Sequence, residues 1–479
     1  MIAAGAGRGE PAFLSSANEP ASMEQGDWTG RLQEILNQCS GPGFAFDSGQ
    51  FLPDVTTYLV PSFDHDALLF SVPALFLRQP AEEIPLAPAG SDGAVHAVIE
   101  RIKQKSRQVP ALAPLHGAGT QFPGRYDATA EPYTVIHSPG AIGVHLWHPD
   151  DRNFCDQKGV HLLVRGALPC PASCSPAGVR QVSAAIRSLL EGISEVVEAI
   201  PARVLEDGWA LSLDQKLLRE RLPALGLVAF VGDGSCPARS FSRHRSFFRI
   251  AGRKDGVNVP FACPQELSPV EIDLPATNER ITGLGIRQRE VFAVTGSNAQ
   301  GKTTFLAGII AGMDDHGAGD GRERIVTVRG IRTAEAMTCG LSGADVSMFF
   351  SALPPGIGGT VRAAYGMGSG SMTMASQVQE AFAGKAPVLV IDEDRAAPNL
   401  LVKSCLQTEE VTPLAELLAK DRQKTGDTAL IFAACAMDTL IAQADRIMVL
   451  DRHAAKAIDR AAFIAMLKDA LKRTADDLA

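Results

Sequence analysis

The sequence predicts an α/β fold: a mainly parallel sheet built around a phosphate-binding loop, preceded by an α+β N-terminal domain. Three observations carry this reading. Gly296, Gly301, Lys302 and Thr303 fit the pattern Gly-x4-Gly-Lys-Ser/Thr, after the apolar run Val291–Val294 and before the apolar stretch Phe305–Ile310. A second apolar run, Val388–Ile391, ends in Asp392 and Glu393. Around both motifs, strand-like apolar runs alternate with helical stretches, which is the pattern of parallel strands joined by crossovers.

The bulk numbers are those of a soluble globular chain. A length of 479 residues suggests about three domains, and 46% hydrophobic with 21% charged residues is ordinary. The net charge of −9 repels nucleic acid overall, so any such binding needs a local basic patch. Nine scattered cysteines argue for a reducing compartment. Cys170 and Cys174 form a close pair without a second pair at matching spacing, and read as loop cysteines in preference to a zinc site. No run approaches the roughly 20 apolar residues that span a bilayer, and residues 1–30 lack the basic start and apolar core of a secretory leader. A cytoplasmic location with no membrane partner is therefore expected. Residues 1–27, rich in Gly, Ala, Ser and Pro, read as a mobile tail, with Met23 an alternative start.

Residues 28–204 read as the N-terminal α+β domain. Trp28–Asn37 has amphipathic helical spacing; 45–80 mix aromatic and β-branched residues with turn formers; Ala94–Ser106 suggests a charged helix. Pro110–Pro132 reads as loop, and Tyr133–Ile136, Val144–Trp147 and His161–Val164 as short strands. A long helix follows Ser175, with Val179, Val182, Ile186, Leu189, Leu190, Ile193, Val196 and Val197 on one broad face. Residues 205–455 read as the core. A helix at Asp214–Leu222 and the strand Leu225–Val231 precede β segments at Val270–Leu274 and Ile281–Leu284. Ile325–Val328, Val388–Ile391, Thr428–Phe432 and Ile447–Leu450 read as buried strands of the parallel sheet. Residues 456–479 read as a C-terminal helix, patterned from Arg460 to about Lys472.

The chemistry of the first motif follows from its geometry. Glycines let the backbone curl until several N–H groups converge on one phosphate, and the helix N-terminus adds partial positive charge. Gly296, Ser297, Asn298, Ala299, Gln300, Gly301, Lys302, Thr303 and Thr304 form the candidate nucleotide cradle. Lys302 would reach the β- and γ-phosphates, the Thr303 hydroxyl would ligate Mg²⁺, and Asp392 would hold a water on the same ion. Glu393 would then polarise the attacking water, making Glu393 and Lys302 the candidate catalytic pair. ATP is the expected partner, with Mg²⁺ as cofactor.

Between the two motifs stands Gly368-Ser369-Gly370-Ser371, followed by small and polar residues to Ala381. This order resembles the ABC ATPases, in which a Ser-Gly signature opens a helix leading to the acidic strand. The resemblance narrows on Leu225-Gly-Leu-Val-Ala-Phe-Val-Gly-Asp-Gly-Ser235, Val259-Pro-Phe261, Ile281-Thr-Gly-Leu-Gly-Ile286, Gly319-Asp-Gly-Arg-Glu323, and Asp392-Glu-Asp394 with Asn399. Together these are similar to the soluble family known as predicted ATPases of the ABC class. The resemblance spans about 205–452 and is most specific in the acidic block, because transporter subunits carry Pro where Asp394 stands. It implies a head-to-tail homodimer with ATP sandwiched between subunits, Ser369, Gly370, Ser371 and Asn399 acting across the interface, and RNA association in some members.

The sequence departs from that pattern in places. No Gln occurs from Gly301 to Ser376, leaving Asp345 or Ser347 to take the part of the usual glutamine. Cys435 stands ten residues before Asp445, where an ABC protein places its switch histidine. A thiol cannot donate the charge-assisted hydrogen bond of an imidazolium, so slow turnover is expected. No aromatic lies between Cys263 and Glu290 to stack on adenine. Two alternatives follow. A nucleic-acid-associated ATP switch would use Arg239, Arg243, Arg245, Arg249, Arg253 and Lys254, interleaved with Phe241, Phe247 and Phe248, to bind RNA or other nucleic acid; the competing reading of that cluster is a solvated hairpin. A nucleotide-gated scaffold with little turnover would account for Cys435 and the missing glutamine. A kinase built on the same loop would leave Ser369 and Glu393 without a task.

Overall fold

The computed structural model describes residues 27–53, 55–62, 66–79, 88–117, 147–237, 259–406 and 410–479. The expected tail up to residue 26, the strand at Tyr133–Ile136, most of Val144–Trp147 and the Arg239–Lys254 cluster lie outside them. The chain divides into two contact units: residues 1–75, 106–144 and 163–194, and residues 76–105, 145–162 and 195–479.

In the first unit, Trp28–Asn37 is helical and buries Trp28, Leu32, Ile35 and Leu36, as its spacing requires. The Asp27 carboxylate caps it by accepting the Gly30 N–H at 3.0 Å. Tyr58–Pro61 pairs antiparallel with Ala67–Phe76. The helix Pro176–Glu198, whose last residues from Glu195 are assigned to the second unit, buries all eight residues of the face read from the sequence.

The second unit holds both motifs. Its central sheet has the order Arg332–Ala334, Val388–Asp392, Ala429–Ala433, Val291–Thr295, Arg446–Asp451, Ala454–Ile458. The first four pairings are parallel and the last is antiparallel. Successive residues of a strand point to opposite faces, so a sheet covered on both sides reads as an unbroken apolar run. The packing follows that rule. Phe292, Val294, Val388 and Val390 join one core with Phe305, Leu306 and Ile309 of the helix Lys302–Ala311. Val291, Ala293, Leu389 and Ile391 join the other with Met372, Met374 and Val378 of the helix Gly370–Ala383. The helix after the phosphate loop and the helix after the Ser-Gly turn therefore cover opposite faces.

The strand read at Ile325–Val328 as part of the parallel sheet lies outside it, which corrects the sequence reading. Leu227–Gly232 and Ile325–Thr327 pair antiparallel with each other, in a separate sheet with Glu279–Arg287 and Val270–Leu274. Leu227–Gly232 is buried throughout, so its sequence lacks the alternation that usually marks an antiparallel strand. A third sheet of Cys339–Ala344, Ala363–Gly368 and Gly358–Thr360 is largely exposed and rich in glycine, and has no apolar signal to betray it. The helix read at Asp214–Leu222 runs from Ala202 to Arg221. Its buried face carries polar groups with partners, which blurs the periodicity: Asp214 accepts the Ala276 and Thr277 N–H groups at 2.8 Å, and Arg219 bonds Asp315 at 2.9 Å.

Charges anchor the start of the loop-bearing strand. The buried Glu290 carboxylate accepts from the Arg446 guanidinium at 2.5 and 2.8 Å, and that guanidinium also donates to the Gly285 carbonyl at 2.6 Å and lies 5.4 Å from the Phe292 ring centroid. Arg446→Leu would leave the buried carboxylate uncompensated, which costs about 3–5 kcal/mol. The expected result is a lower denaturant midpoint at unchanged slope, measured by equilibrium unfolding.

Beside this pair, the Val291 N–H donates to Asp445 at 2.9 Å and Arg422 donates to Asp445 at 2.8 Å. Burial pushes the Asp445 carboxyl up, but the Arg422 and Val291 hydrogen bonds and the fields of Arg422 and Arg460 hold it below its ordinary 3.8. A depressed folded value means that the stabilisation is complete above the unfolded value and is lost as pH falls through the folded one. Asp445→Asn should therefore flatten the acid limb of the stability–pH curve below about pH 4, followed by thermal melts across pH 3–7.

Candidate functional site

The phosphate loop forms where a strand ends against a helix start. Val291–Thr295 delivers the chain to Gly296, whose φ of 130° is a conformation that side chains rarely adopt. A Cβ there would meet the Leu450 carbonyl oxygen at 2.2 Å, so the position excludes every other residue type. Gly301, at φ 96°, turns the chain into the helix that begins at Lys302. The first N–H groups of that helix have no carbonyl one turn earlier within it, and with the helix dipole they favour an anion. The Lys302 ammonium folds back over the loop, donating to the Gly296 carbonyl at 2.7 Å and the Ser297 carbonyl at 3.0 Å. Thr303 and Thr304 are half-buried beside it, while Ser297, Asn298 and Ala299 are exposed.

The acids stand at the same edge of the sheet. Asp392 pairs with Ala433, and Ala433 in turn with Val294, so Asp392 is level with the start of the loop one strand away. Its carboxylate accepts the Asp394 N–H at 3.3 Å. Glu393 reaches across to the neighbouring strand end: its carboxylate accepts from the backbone N–H of Cys435 and, at 3.4 Å, of Ala436. The residue at the switch-histidine position is thus beside Glu393, through its backbone.

A cavity of about 390 Å³ opens on the loop. It is lined by the loop segment Asn298–Phe305 and by Asp394, Leu450, His453, Phe261, Val259 and Pro237. Asn298–Thr304 from the sequence reading are thus brought together. Gly296, Ser297, Asp392, Glu393, Ser369, Gly370, Ser371 and Asn399 are not among the lining residues. Ser369 is the N-cap of the opposite-face helix, and the Ser371 hydroxyl donates to the Asn399 side-chain oxygen at 2.7 Å, so these residues form a cluster of their own. Asp345 and Ser347 are absent from the cavity too. Asp345 accepts the Ser347 N–H at 2.9 Å, and Gln379 donates to the Ser347 hydroxyl at 3.4 Å. Burial raises the Asp345 carboxyl, but hydrogen bonds from Ser347 and Gln379 and the Arg362 charge bring it below its ordinary value.

Among the lining residues that the sequence reading did not place at the site are Phe261 and His453. Phe261 stands just outside the stretch Cys263–Glu290 in which an aromatic was sought, and it packs on Phe305 with ring centroids 5.7 Å apart. His453 sits in a tight hairpin turn far along the chain. No local pattern links it to the loop.

A model of the ABC_ATPase P-loop domain matches residues 201–477. An uncharacterized protein of Methanocaldococcus jannaschii is 41% identical over 372 residues, covering 77% of this chain and 81% of that protein. The chain belongs to the ABC ATPase family of P-loop proteins. Among solved structures, a component of an ABC transporter complex from Clostridium perfringens is 16% identical, with a TM-score of 0.28, over 40% of this chain and 85% of its own. An ATP-binding cassette described as a dimer bound to ADP and Pi is 14% identical, with a TM-score of 0.25, over 40% of this chain and 96% of its own.

Proposed function

We propose that this protein binds Mg-ATP and hydrolyses it as a homodimer, with each nucleotide held between the phosphate loop of one protomer and the Ser-Gly turn of the other. The observation that carries the reading is that parallel pairing brings the strand end bearing Asp392 and Glu393 to the sheet edge where the phosphate loop turns into the helix that starts at Lys302. A bound γ-phosphate would take over from the Gly296 and Ser297 carbonyls as acceptor for Lys302. Glu393 would orient water, since its carboxylate is already braced by backbone N–H groups of the adjoining strand end.

The donor set suits magnesium. Mg²⁺ favours hard oxygen ligands and is usually held by one or two protein oxygens, with phosphates and waters completing the shell. The Thr303 hydroxyl and the Asp392 carboxylate are of that kind. When bound with ATP, the ion would neutralise charge on the β- and γ-phosphates.

Dimer formation is supported by the layout within one chain. The helix that Ser369 caps packs on the sheet face opposite the phosphate-loop helix. A cytoplasmic setting fits this reading; among the described residues, no helix is long and apolar enough to cross a membrane. Calorimetry with Mg-ATP, coupled to light scattering at matched concentrations, tests the proposal. Heat of binding together with a doubling of mass supports it, and absence of binding at millimolar ATP would remove it.

A further inference from the structure

The nucleotide reading leaves open which residue meets the nucleoside half of the ligand, and the hairpin beyond the core strand supplies a candidate. Arg446–Asp451 and Ala454–Ile458 pair antiparallel with Asp451 opposite Ala454, so Arg452 and His453 alone make the turn. Both have positive φ, 49° and 65°. Such two-residue turns require left-handed backbone at both positions and favour Asn-Gly or Gly-Gly; a residue with a large side chain is held there at a cost. Because Arg446–Asp451 is the immediate neighbour of Val291–Thr295, this turn overhangs the phosphate loop.

His453 makes specific contact with that loop. Its Nδ1 lies 3.2 Å from the Gln300 carbonyl oxygen, and an atom built as a Cβ on Gly301 would sit 3.8 Å from the same nitrogen. A carbonyl only accepts, so Nδ1 carries the proton, and the ring's flat face and its Nε2 edge remain for other partners. The ring lines the cavity together with the apolar Phe261, Val259, Pro237 and Leu450, with Asp394, and with the loop residues Asn298–Phe305. A charged triphosphate suits the loop backbone and Lys302. A flat, weakly polar ring system suits the apolar residues beside His453.

We propose that His453 is the nucleoside-contacting residue of this site, its imidazole packing on the purine of a nucleoside triphosphate whose phosphates lie on the loop. This rests on the nucleotide-binding reading above, and the experiment separates the two. Binding of Mg-ATP and of Mg-tripolyphosphate, which lacks the nucleoside, is measured by calorimetry for the wild type, His453→Ala and His453→Phe. Loss of a base-stacking side chain costs roughly tenfold or more in affinity. His453→Ala should therefore lose about that factor for ATP and keep its tripolyphosphate affinity. His453→Phe retains a flat ring without the Nδ1–H and should stay within about threefold of wild type for ATP. An equal loss for both ligands in His453→Ala, or no recovery in His453→Phe, would make the ring a prop for the loop through Gln300 and overturn the assignment. Wild-type protein that binds tripolyphosphate and ATP equally well would overturn it too. Wild-type protein that binds neither removes the nucleotide reading itself, and this assignment with it.

Discussion

Glu393→Gln is expected to abolish steady-state phosphate release while leaving Mg-ATP affinity near the wild-type value. The substitution keeps shape and an acceptor oxygen, so the backbone N–H groups of Cys435 and Ala436 can still be satisfied. What it removes is the negative charge that would polarise an attacking water. A positioned base contributes typically about 10²- to 10⁴-fold, and a loss of that size should be seen as single-turnover phosphate release collapses. Because binding persists without turnover, the ATP-bound dimer should accumulate and appear in size-exclusion chromatography run in Mg-ATP. Phosphate release at the wild-type rate would take Glu393 out of this role. The contact of Glu393 with the 435–436 backbone matters to the result. It shows that a cysteine at position 435 does not prevent the strand end from bracing the carboxylate, although the thiol cannot replace the imidazolium of a switch histidine.

Lys302→Ala is expected to weaken Mg-ATP binding by roughly 10- to 150-fold, the equivalent of about 1.5–3 kcal/mol for a hydrogen bond to a charged group. Among the described residues the ammonium bonds only the loop carbonyls of Gly296, which is half-buried, and Ser297, which is exposed. Its removal should therefore leave the melting temperature almost unchanged. That combination separates a ligand-binding lysine from a structural one. A large drop in thermal stability with little change in ATP affinity would show that Lys302 serves to hold the loop together.

The phosphate loop and the acidic strand end were legible in the sequence because each depends on contiguous residues. Gly296, Gly301, Lys302 and Thr303 lie within one turn, and Asp392 and Glu393 end one run. The two-sided burial that makes Val291–Val294 and Val388–Ile391 continuously apolar also marks them as central strands. Ile325–Thr327 shows where this reasoning fails. It is buried throughout like the central parallel strands, yet it pairs antiparallel in a different sheet. Hydrophobic runs report burial, and pairing partners are chosen by the rest of the chain.

Which motif meets which was decided by the tertiary fold. Ser369 and Lys302 head helices that the two-sided packing sends to opposite faces of the sheet, and no spacing between them contains that information. His453 is 152 positions beyond Gly301 in numbering, yet it touches the phosphate loop because neighbouring parallel strands carry both to one edge. The sequence alone determined the local chemistry, since backbone geometry and side-chain type act over a few residues. The cavity around that chemistry was decided by strand order, because strand order brings together residues that the chain keeps apart.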